Sequence, residues 1–531
     1  MVRCKECVNC CQWEIRFIMQ CMTNLKKGDK REPCESQRQV FMKELMKEHQ
    51  QNIMSQLRQI KPECNMELSD MGNGWLFAEI FKDMCRFNAT AKEWYIYSHG
   101  VWQQDTGGMI SSQFAKALAD CLFIYCTEIS DSKLKEPFIK HCARLGQLRY
   151  RETMLKDARD HHFFYAEELD KDLYLLNCQN GVLNLKTFEF MEHSPDFLCG
   201  KIANVVYDPE QSAEAWETFV NQVLEENKPK IEYLQKLFGY ALTGSTAEEC
   251  CYMLYGSTTR NGKSTAIETF AYMLGNTGGY SMNMRPETLA MKPNNDSRSA
   301  SSDIARLQGC RFLSCAEPPK KMIFDVALLK TLLGRDQITA RFLHQNEFQF
   351  VPVFKLFFNT NFLPVVTDVT LFSSGRISVV TFDRHFKPSE QDRSLKDKLK
   401  QPKNLSGLLN WCITGLKKYY AEGLTPPPEV TAATDQYRND SDKIGCFIKE
   451  CLIEKPDKNT KLKDVYTEYE KWCSDNGFGC ENRNNFTAEM KNKGLYKSSG
   501  TVNGKTCRNI VKGYVIAAEE LFVPVENPFD F

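Results

Sequence analysis

One segment near the middle of the chain restricts its fold more than any other. Residues 250–255 are apolar or small and predict a buried strand, and residues 265–274 have the pattern of a helix. Between them lies the polar turn GSTTRNGKS at residues 256–264. A strand, a loop ending in Gly-Lys-Ser and a helix form the context of a P-loop, and a chance Gly-Lys-Ser in a surface loop rarely has both flanks. The segment therefore predicts an α/β core that binds a nucleotide.

The chemistry of such a loop follows from its geometry. Backbone N–H groups at the start of the helix point at bound phosphates, and the helix dipole adds to the attraction. Lys263 would reach the β- and γ-phosphates of ATP, and the Ser264 hydroxyl would hold Mg²⁺. The strict pattern has glycine where this chain has Ser257, although Gly256 lies one residue earlier. The residues predicted to contact ATP are Gly256, Ser257, Thr258, Thr259, Arg260, Asn261, Gly262, Lys263, Ser264 and Thr265.

The bulk composition limits the partners of the chain. Its 531 residues suffice for roughly three or four domains. The 68 basic and 68 acidic residues cancel to a formal net charge of +0, so any grip on nucleic acid must be local. The N-terminus lacks the apolar core of a signal peptide, and no uncharged run is long enough to span a bilayer. The sequence thus predicts a cytoplasmic protein without membrane contact, with its 23 cysteines as reduced thiols apart from one candidate metal site.

That metal site lies in the Cys-rich beginning of the chain. Cys4, Cys7 and Cys10 have the spacing of metal ligands. No second C-x-x-C pair follows, so Zn²⁺ binding and ordinary thiols both stay open. A fourth ligand would come from Cys11, Cys21 or Cys34.

Composition and turn signals divide the chain into four parts. A Cys-rich segment with a helical linker covers residues 1–65, and a mixed α/β domain covers residues 66–207. In the second part, Asn180-Gly181 between two apolar runs predicts a hairpin. The P-loop core occupies residues 208–425, and a lid or linker with a small terminal domain occupies residues 426–531.

The terminal domain has the outline of a winged helix. Helical patterns near residues 465–472 and 484–493 precede a run at 495–516 that alternates and turns at Asn503-Gly504. Basic residues gather in this run, and Lys505 and Arg508 are among those predicted to contact DNA. A solvated charged face explains any single one of them equally well.

Hydrolysis of ATP needs further groups beyond the loop. Residues 311–317 predict a short strand ending in Glu317, which would position the attacking water and complete the Mg²⁺ shell, the alternative being an exposed strand-end carboxylate. Residues 348–361 predict one long buried strand with Asn361 at its tip, within reach of the γ-phosphate. Arg376 lies beyond it, where a cation would stabilise charge in the transition state.

The order of these motifs resembles the superfamily 3 helicases of the phage and plasmid primase-helicase group, to which the poxvirus primase-helicase is related. LLNCQNGVLNL at residues 175–185 resembles the N-terminal helicase-associated domain of that group. The segments of the core that carry the resemblance are GKS at 262–264, the strand with Glu317, LLKTLLGRDQITAR at 328–341, FVPVFKLFFNTNFLP at 350–364 and GRISVVTF at 375–382.

The resemblance implies an AAA+-like P-loop ATPase core between a mixed α/β helicase-associated domain and a C-terminal winged helix. It also implies a homo-hexameric ring that moves on single-stranded or forked DNA by hydrolysing ATP, encoded by a phage or prophage in a bacterial host. It assigns Lys263 and Ser264 to Walker A, Glu317 to Walker B, and Asn361 to sensor 1. Arg376 becomes the arginine finger that acts on a neighbouring subunit.

The sequence departs from the pattern of that group at three positions. Ser257 replaces the first loop glycine, Ala316 stands where many members have a second acid, and Gly375 stands where many have another arginine. Members of the group often carry a primase domain ahead of the helicase, and residues 1–65 are too few for one. A primase or polymerase is therefore expected on a separate chain.

A hairpin between the strand-like runs that flank residues 341–347 is predicted to grip DNA. His344, Gln345 and Asn346 would lie near its tip, and in a ring six such tips would line the pore, with Arg341 and His344 predicted to contact DNA. The alternative is that Arg341 pairs with Asp336 or Glu347 and only holds the turn.

Three classes of function compete for this sequence. The first is an ATP-dependent replicative helicase, the second a DNA-binding initiator or switch whose ATP site controls assembly, and the third a small-molecule kinase. Unwinding of a forked duplex separates the first from the second. ATP hydrolysis measured with and without single-stranded DNA separates the third from both.

Overall fold

The computed structural model describes residues 50–291, 302–320, 322–343, 346–476 and 479–517. Residues 50–60 are helical and belong to the helical linker predicted within residues 1–65, of which residues 1–49 lie outside the described residues. The strands are β1 (Cys85–Asn88), β2 (Glu93–Ser98), β3 (Val101–Gln104), β4 (Leu175–Cys178), β5 (Gly181–Asn184), β6 (Phe190–Met191), β7 (Cys251–Tyr255), β8 (Ser281–Met284), β9 (Phe312–Ala316), β10 (Ile338–Ala340), β11 (Phe348–Phe350), β12 (Lys355–Thr360), β13 (Ile377–Thr381), β14 (Leu452–Lys461), β15 (Tyr496–Val502) and β16 (Lys505–Ile516). The α-helices are α1 (Pro62–Asn65), α2 (Asp70–Phe81), α3 (Met109–Glu128), α4 (Ser132–Cys142), α5 (Leu148–Asp157), α6 (Glu214–Val223), α7 (Lys228–Leu242), α8 (Lys263–Leu274), α9 (Ser302–Ala305), α10 (Val326–Leu333), α11 (Thr370–Ser373), α12 (Leu395–Leu399), α13 (Pro402–Glu422), α14 (Pro428–Ser441), α15 (Lys443–Cys451), α16 (Leu462–Asp475) and α17 (Arg483–Asn492).

The central sheet is parallel throughout and has the strand order β13-β7-β12-β9-β8. Strand β7, which precedes the Gly-Lys-Ser loop, is thus flanked by β12 and β13. Its core residues are buried on both faces, as expected where helices cover both sides of a parallel sheet. The prediction of an α/β core with a strand, a loop and a helix in this order is confirmed.

The prediction of one long strand over residues 348–361 is wrong. The segment forms two strands in different sheets, because β11 pairs antiparallel with β10 while β12 joins the central sheet. Pro352 lies between them, and proline has no N–H to donate to a ladder. The pairing of β10 with β11 does give the hairpin predicted around residues 341–347, whose His344 lies outside the described residues.

The part before the core contains two small antiparallel sheets. The first, in the order β1-β2-β3, packs with α2, α3 and α5 around one hydrophobic cluster. The second, β4-β5-β6, contains the predicted hairpin, in which Cys178 pairs with Gly181 so that Gln179 and Asn180 form the turn. Leu176 and Leu183 of this sheet are buried in the same cluster as the apolar face of α7 and the central sheet.

The C-terminal part contains the predicted order of helix, helix and hairpin. Strands β14, β16 and β15 form an antiparallel sheet beside α15, α16 and α17. Asn503 and Gly504 both have positive φ, 49° and 74°, which is the backbone that a two-residue hairpin turn of type I′ requires.

A buried arginine joins the second small sheet to the amino-terminal end of the central sheet. Arg311, one residue before β9, donates to the carbonyl oxygen of Leu242 at 2.9 Å and to that of Leu175 at 2.8 Å. Its guanidinium also lies 4.3 Å from the ring centroid of Tyr280. Because Leu175 begins β4 and Leu242 ends α7, one side chain fixes three elements relative to each other.

We expect Arg311→Met to lower the free energy of unfolding by about 3 kcal/mol, because it leaves buried carbonyl groups without a donor. Urea unfolding followed by circular dichroism measures the change. Arg58→Met is the matched control, since Arg58 makes an exposed ion pair with Glu128, and should change the stability by less than about 1 kcal/mol. Equal effects of the two substitutions would contradict the joining role of Arg311.

Candidate nucleotide site

The loop between β7 and α8 depends on two glycines. Gly262 has φ of 84°, and a Cβ at this position would clash with Val223 on α6. A Cβ on Gly256 would clash with the Asn261 side chain and with the carbonyl oxygen of Phe382. Gly256 therefore performs the close-packing role expected of the first loop glycine, and the serine that follows it is exposed.

The chain after β13 closes over the outer part of this loop. The Phe386 amide donates to the carbonyl oxygen of Arg260 at 3.0 Å, and His385 Nδ1 lies 2.8 Å from that of Thr259. Asn261 is buried and donates to the carbonyl oxygens of Thr258 and Phe382. Of the other predicted contact residues, Ser257, Thr258, Thr259 and Arg260 are exposed, and Ser264 and Thr265 are half-buried.

Lys263 is the first residue of α8, and its ammonium group is buried beneath the loop. Its Nζ lies 2.7 Å from Oδ1 of Asn361 and 2.8 Å from Oδ1 of Asn261, and 3.4 Å from the Gly256 carbonyl oxygen. The side chain is 3% exposed, and all three partners are neutral. Burial lowers the pKa of Lys263 to about 8, and the charge of Glu317 only partly opposes this shift. Because its three partners are neutral oxygens, a nearby anion such as a phosphate would strongly stabilise the charged form of Lys263.

Ser264 is held by a residue that the sequence did not single out. Asn359, the fifth residue of β12, donates from Nδ2 to the Ser264 Oγ at 2.9 Å. A cavity of about 490 Å³ opens beside this pair and is lined also by Ala316 and Arg306. The spacing of Asn359 and Asn361 was the available signal, because residues two apart share one face of a strand. The hydroxyl and the cavity fit an octahedral Mg²⁺ with bound waters.

Glu317 follows β9 directly and lies at the same edge of the sheet. Its amide donates to the carbonyl oxygen of Asn359 at 2.8 Å, with φ of 50°, and its side chain is exposed. It remains close enough for its charge to act on Lys263. A carboxylate there fits the predicted part in Mg²⁺ binding or water activation, and Ala316 leaves it as the single acid at this strand end.

Arg376 lies at the opposite edge of the central sheet. It precedes β13, whose first residue pairs with Cys251 at the start of β7, so the length of β7, about 13 Å, separates it from the loop of its own chain. Arg376 Nη2 donates to Oε2 of Glu249 at 2.9 Å. The structure therefore does not bring Arg376 into the site of its own chain, and its action on a neighbouring subunit stays a prediction.

The residues predicted to bind DNA are separate from this site. Arg341 is half-buried and follows β10 directly, while His344 lies outside the described residues. Lys505 and Arg508 are exposed on β16, opposite Val502 and Ser499. They form a basic surface on the terminal hairpin.

The candidate zinc ligands Cys4, Cys7 and Cys10 lie outside the described residues. In the described part of the chain, no group of three or more His, Cys, Asp or Glu side chains could hold a metal ion. None of the described helices is long and apolar enough to cross a membrane.

Two parts of the chain match family models. Residues 76–225 match a family described as "D5 N terminal like". Residues 254–373, which include the loop, Glu317 and Asn361, match one described as "Family of unknown function (DUF5906)".

Curated viral proteins are similar over longer stretches. The "Putative helicase L207/L206" of Acanthamoeba polyphaga mimivirus is 28% identical over 75% of this chain and 42% of its own length. The "Putative helicase 022R" of Frog virus 3 is 28% identical over 50% of this chain and 28% of its own. The "Putative primase C962R" of African swine fever virus is 23% identical over 59% of this chain and 34% of its own length. The chain thus spans well under half the length of these relatives.

Among solved structures, the apo C-terminal region (305–718) of NrS-1 superposes with a TM-score of 0.46 at 10% identity, over 83% of this chain and 99% of that one. This score is too low to equate the two folds. The D5-type match and the viral relatives confirm the resemblance of the chain to the phage and viral primase-helicase family. The relatives named above come from viruses, and a bacterial host stays a prediction.

We expect nucleotide binding to take up protons near pH 8. The pKa of Lys263 is about 8 in the free protein, and a bound phosphate raises it by stabilising the ammonium form. Affinity should therefore be level well below pH 8 and should fall as the pH rises above it. Calorimetric titration with Mg·ADP in buffers of different ionisation enthalpy measures the uptake. Lys263→Arg, which keeps its charge, is the control, and equal uptake in this variant would contradict the assignment to Lys263.

Proposed function

We propose that the chain is an ATP-dependent DNA helicase of superfamily 3 that acts in the replication of a viral, phage or mobile-element genome. In this proposal a homo-hexameric ring moves along single-stranded DNA, with ATP bound on the loop of each subunit and hydrolysed at the interface with the next. A primase or polymerase as partner and Zn²⁺ binding by the first cysteines both stay predictions.

The observation that carries the proposal is the grouping around Lys263. Its buried ammonium lies between the side chains of Asn261 and Asn361. The Ser264 hydroxyl accepts a hydrogen bond from Asn359, two residues before Asn361. Glu317 ends the adjacent strand. These groups lie at one edge of a parallel sheet, which supports the binding of a phosphate, its metal and the attacking water there. The names of the mimivirus and Frog virus 3 relatives support the helicase class.

The first experiment removes the ammonium group. Lys263→Ala should lose ATP hydrolysis to background and lose unwinding of a forked duplex, because the phosphates lose their main cation. The melting temperature should stay close to that of the parent, since the lost contacts involve an ammonium group that is costly to bury. Arg58→Ala, far from the loop, should keep both activities.

The same assay separates the classes of function. ATP hydrolysis that single-stranded DNA stimulates, together with strand separation, supports the helicase. DNA-stimulated hydrolysis without strand separation would support an initiator or switch instead. Substantial ATP hydrolysis by Lys263→Ala would contradict the assignment of the loop as an ATP-binding site.

We propose that DNA is gripped at two surfaces, the β10–β11 hairpin with Arg341 and His344, and the terminal hairpin with Lys505 and Arg508, which we interpret as the wing of a winged helix. Local placement allows this in a chain of +0 net charge.

Lys505→Ala with Arg508→Ala should weaken DNA binding and make its salt dependence shallower, by about two units of the log–log slope if both contact phosphates. Arg341→Ala with His344→Ala should lower unwinding while basal ATP hydrolysis persists. An unchanged salt slope in the first variant would leave these residues as a solvated face.

A further inference from the structure

Two arginines from different parts of the chain meet one carboxylate at the amino-terminal edge of the central sheet. Arg376 donates to Oε2 of Glu249 at 2.9 Å and to the carbonyl oxygen of Lys330 at 3.2 Å. Arg335, two residues after the end of α10, has its Nε 3.5 Å from Oε1 of Glu249 and donates from Nη2 to the carbonyl oxygen of Ala247 at 3.0 Å. Each oxygen of Glu249 therefore has its own guanidinium.

The turn that presents this carboxylate is strained. Glu249 has φ of 46°, in the left-handed region that residues other than glycine rarely adopt. Its amide donates to the carbonyl oxygen of Thr246 at 3.1 Å, which closes the turn before β7. Such backbone strain persists where the surrounding contacts fix the conformation, and it is common where a side chain must keep a defined orientation.

The two arginines differ in exposure. The Arg335 side chain is 60% exposed and that of Arg376 is 23% exposed. An ion pair as exposed as that of Arg335 adds little to folding stability. The Arg335 guanidinium lies at the edge of the central sheet opposite the nucleotide loop of its own chain. It is therefore available to a group outside that chain.

We propose that Arg335 joins Arg376 in acting on the γ-phosphate of ATP bound to a neighbouring subunit, and that Glu249 is the positioning residue that sets the spacing of the two guanidinium groups. This inference rests on the proposed ring ATPase. Arg376 supplies one cation from the start of β13, and Arg335 supplies the second from the turn after α10. The Glu249 carboxylate offsets the repulsion between the two like charges while no phosphate is present.

The first experiment measures steady-state ATP hydrolysis of Arg335→Ala and Glu249→Gln in the full chain. Glu249→Gln should lower kcat less than Arg335→Ala and leave KM unchanged, because both guanidinium groups remain but lose the carboxylate that sets their spacing, whereas an unchanged kcat would overturn the positioning role. Arg335→Ala should lower kcat on the order of 10²-fold, the effect of losing one donor to a developing charge. KM for ATP should stay within about twofold, because the loop that binds the nucleotide is untouched. Arg335→Lys should restore part of the rate. Arg58→Ala is the matched control, since its side chain is 56% exposed and also pairs with one glutamate, and it should hydrolyse ATP normally.

The second experiment mixes inactive variants. Arg335→Ala mixed with Lys263→Ala should regain part of the activity, because some interfaces then combine an intact loop with an intact arginine pair. Arg335→Ala mixed with Arg376→Ala should regain none, because both lesions lie on the same side of the interface. Co-purification through a tag on one variant establishes that the subunits mix.

The outcomes separate this inference from the function on which it rests. No recovery when Lys263→Ala is mixed with Arg376→Ala, with mixed oligomers present, would show that the trans site of the proposed function is wrong. If that mixture recovers but Arg335→Ala alone keeps normal turnover, only the role of Arg335 is overturned. Recovery on mixing Arg335→Ala with Arg376→Ala would overturn it as well.

Discussion

The candidate site depends on the parallel pairing between β7 and β12. Leu254 pairs with Asn359 and Tyr255 with Thr360, so the loop that follows β7 begins beside the amides that end β12. The neighbouring pair of Asn359 with Ala316 brings the end of β9, and with it Glu317, to the same place. Had any of these strands run in the opposite direction, its polar tip would lie at the far edge of the sheet. Strand direction, more than any single side chain, determines which residues can share one ligand.

The amides around Lys263 explain how the chain itself accommodates a buried cation. Asn261 and Asn361 each provide an oxygen but no charge, so they stabilise the ammonium group less than a carboxylate would. The lowered pKa reflects this incomplete compensation. A direct carboxylate partner would hold the lysine charged but would compete with phosphate, and Glu317, whose charge acts on the lysine, is exposed. A bound anion would therefore complete the stabilisation of the Lys263 ammonium group.

Much of this arrangement was predictable from the sequence. The loop, the strand before Glu317 and the tip with Asn361 were recognised because composition and length mark a buried strand, and because the order of motifs resembles a known group. Asn359 was missed because its partner, Ser264, is 95 residues away and no local pattern encodes a contact between strands. The continuous strand over residues 348–361 was wrong because apolar residues continue past Pro352 although hydrogen bonding does not. The meeting of Arg335 and Arg376 at Glu249 likewise depends on tertiary placement.

Strand β7 connects Glu249, which lies just before it, to the loop that ends at Lys263. Side chains alternate between the faces of a strand, so the loss or gain of a single residue within β7 would turn every later side chain to the opposite face. It would also move one end of the segment relative to the sheet by about 3.3 Å, the rise of one residue. Natural variation in residues 249–263 should therefore occur by substitution at constant length. In contrast, the surface turns between other strands are free to differ in length among relatives.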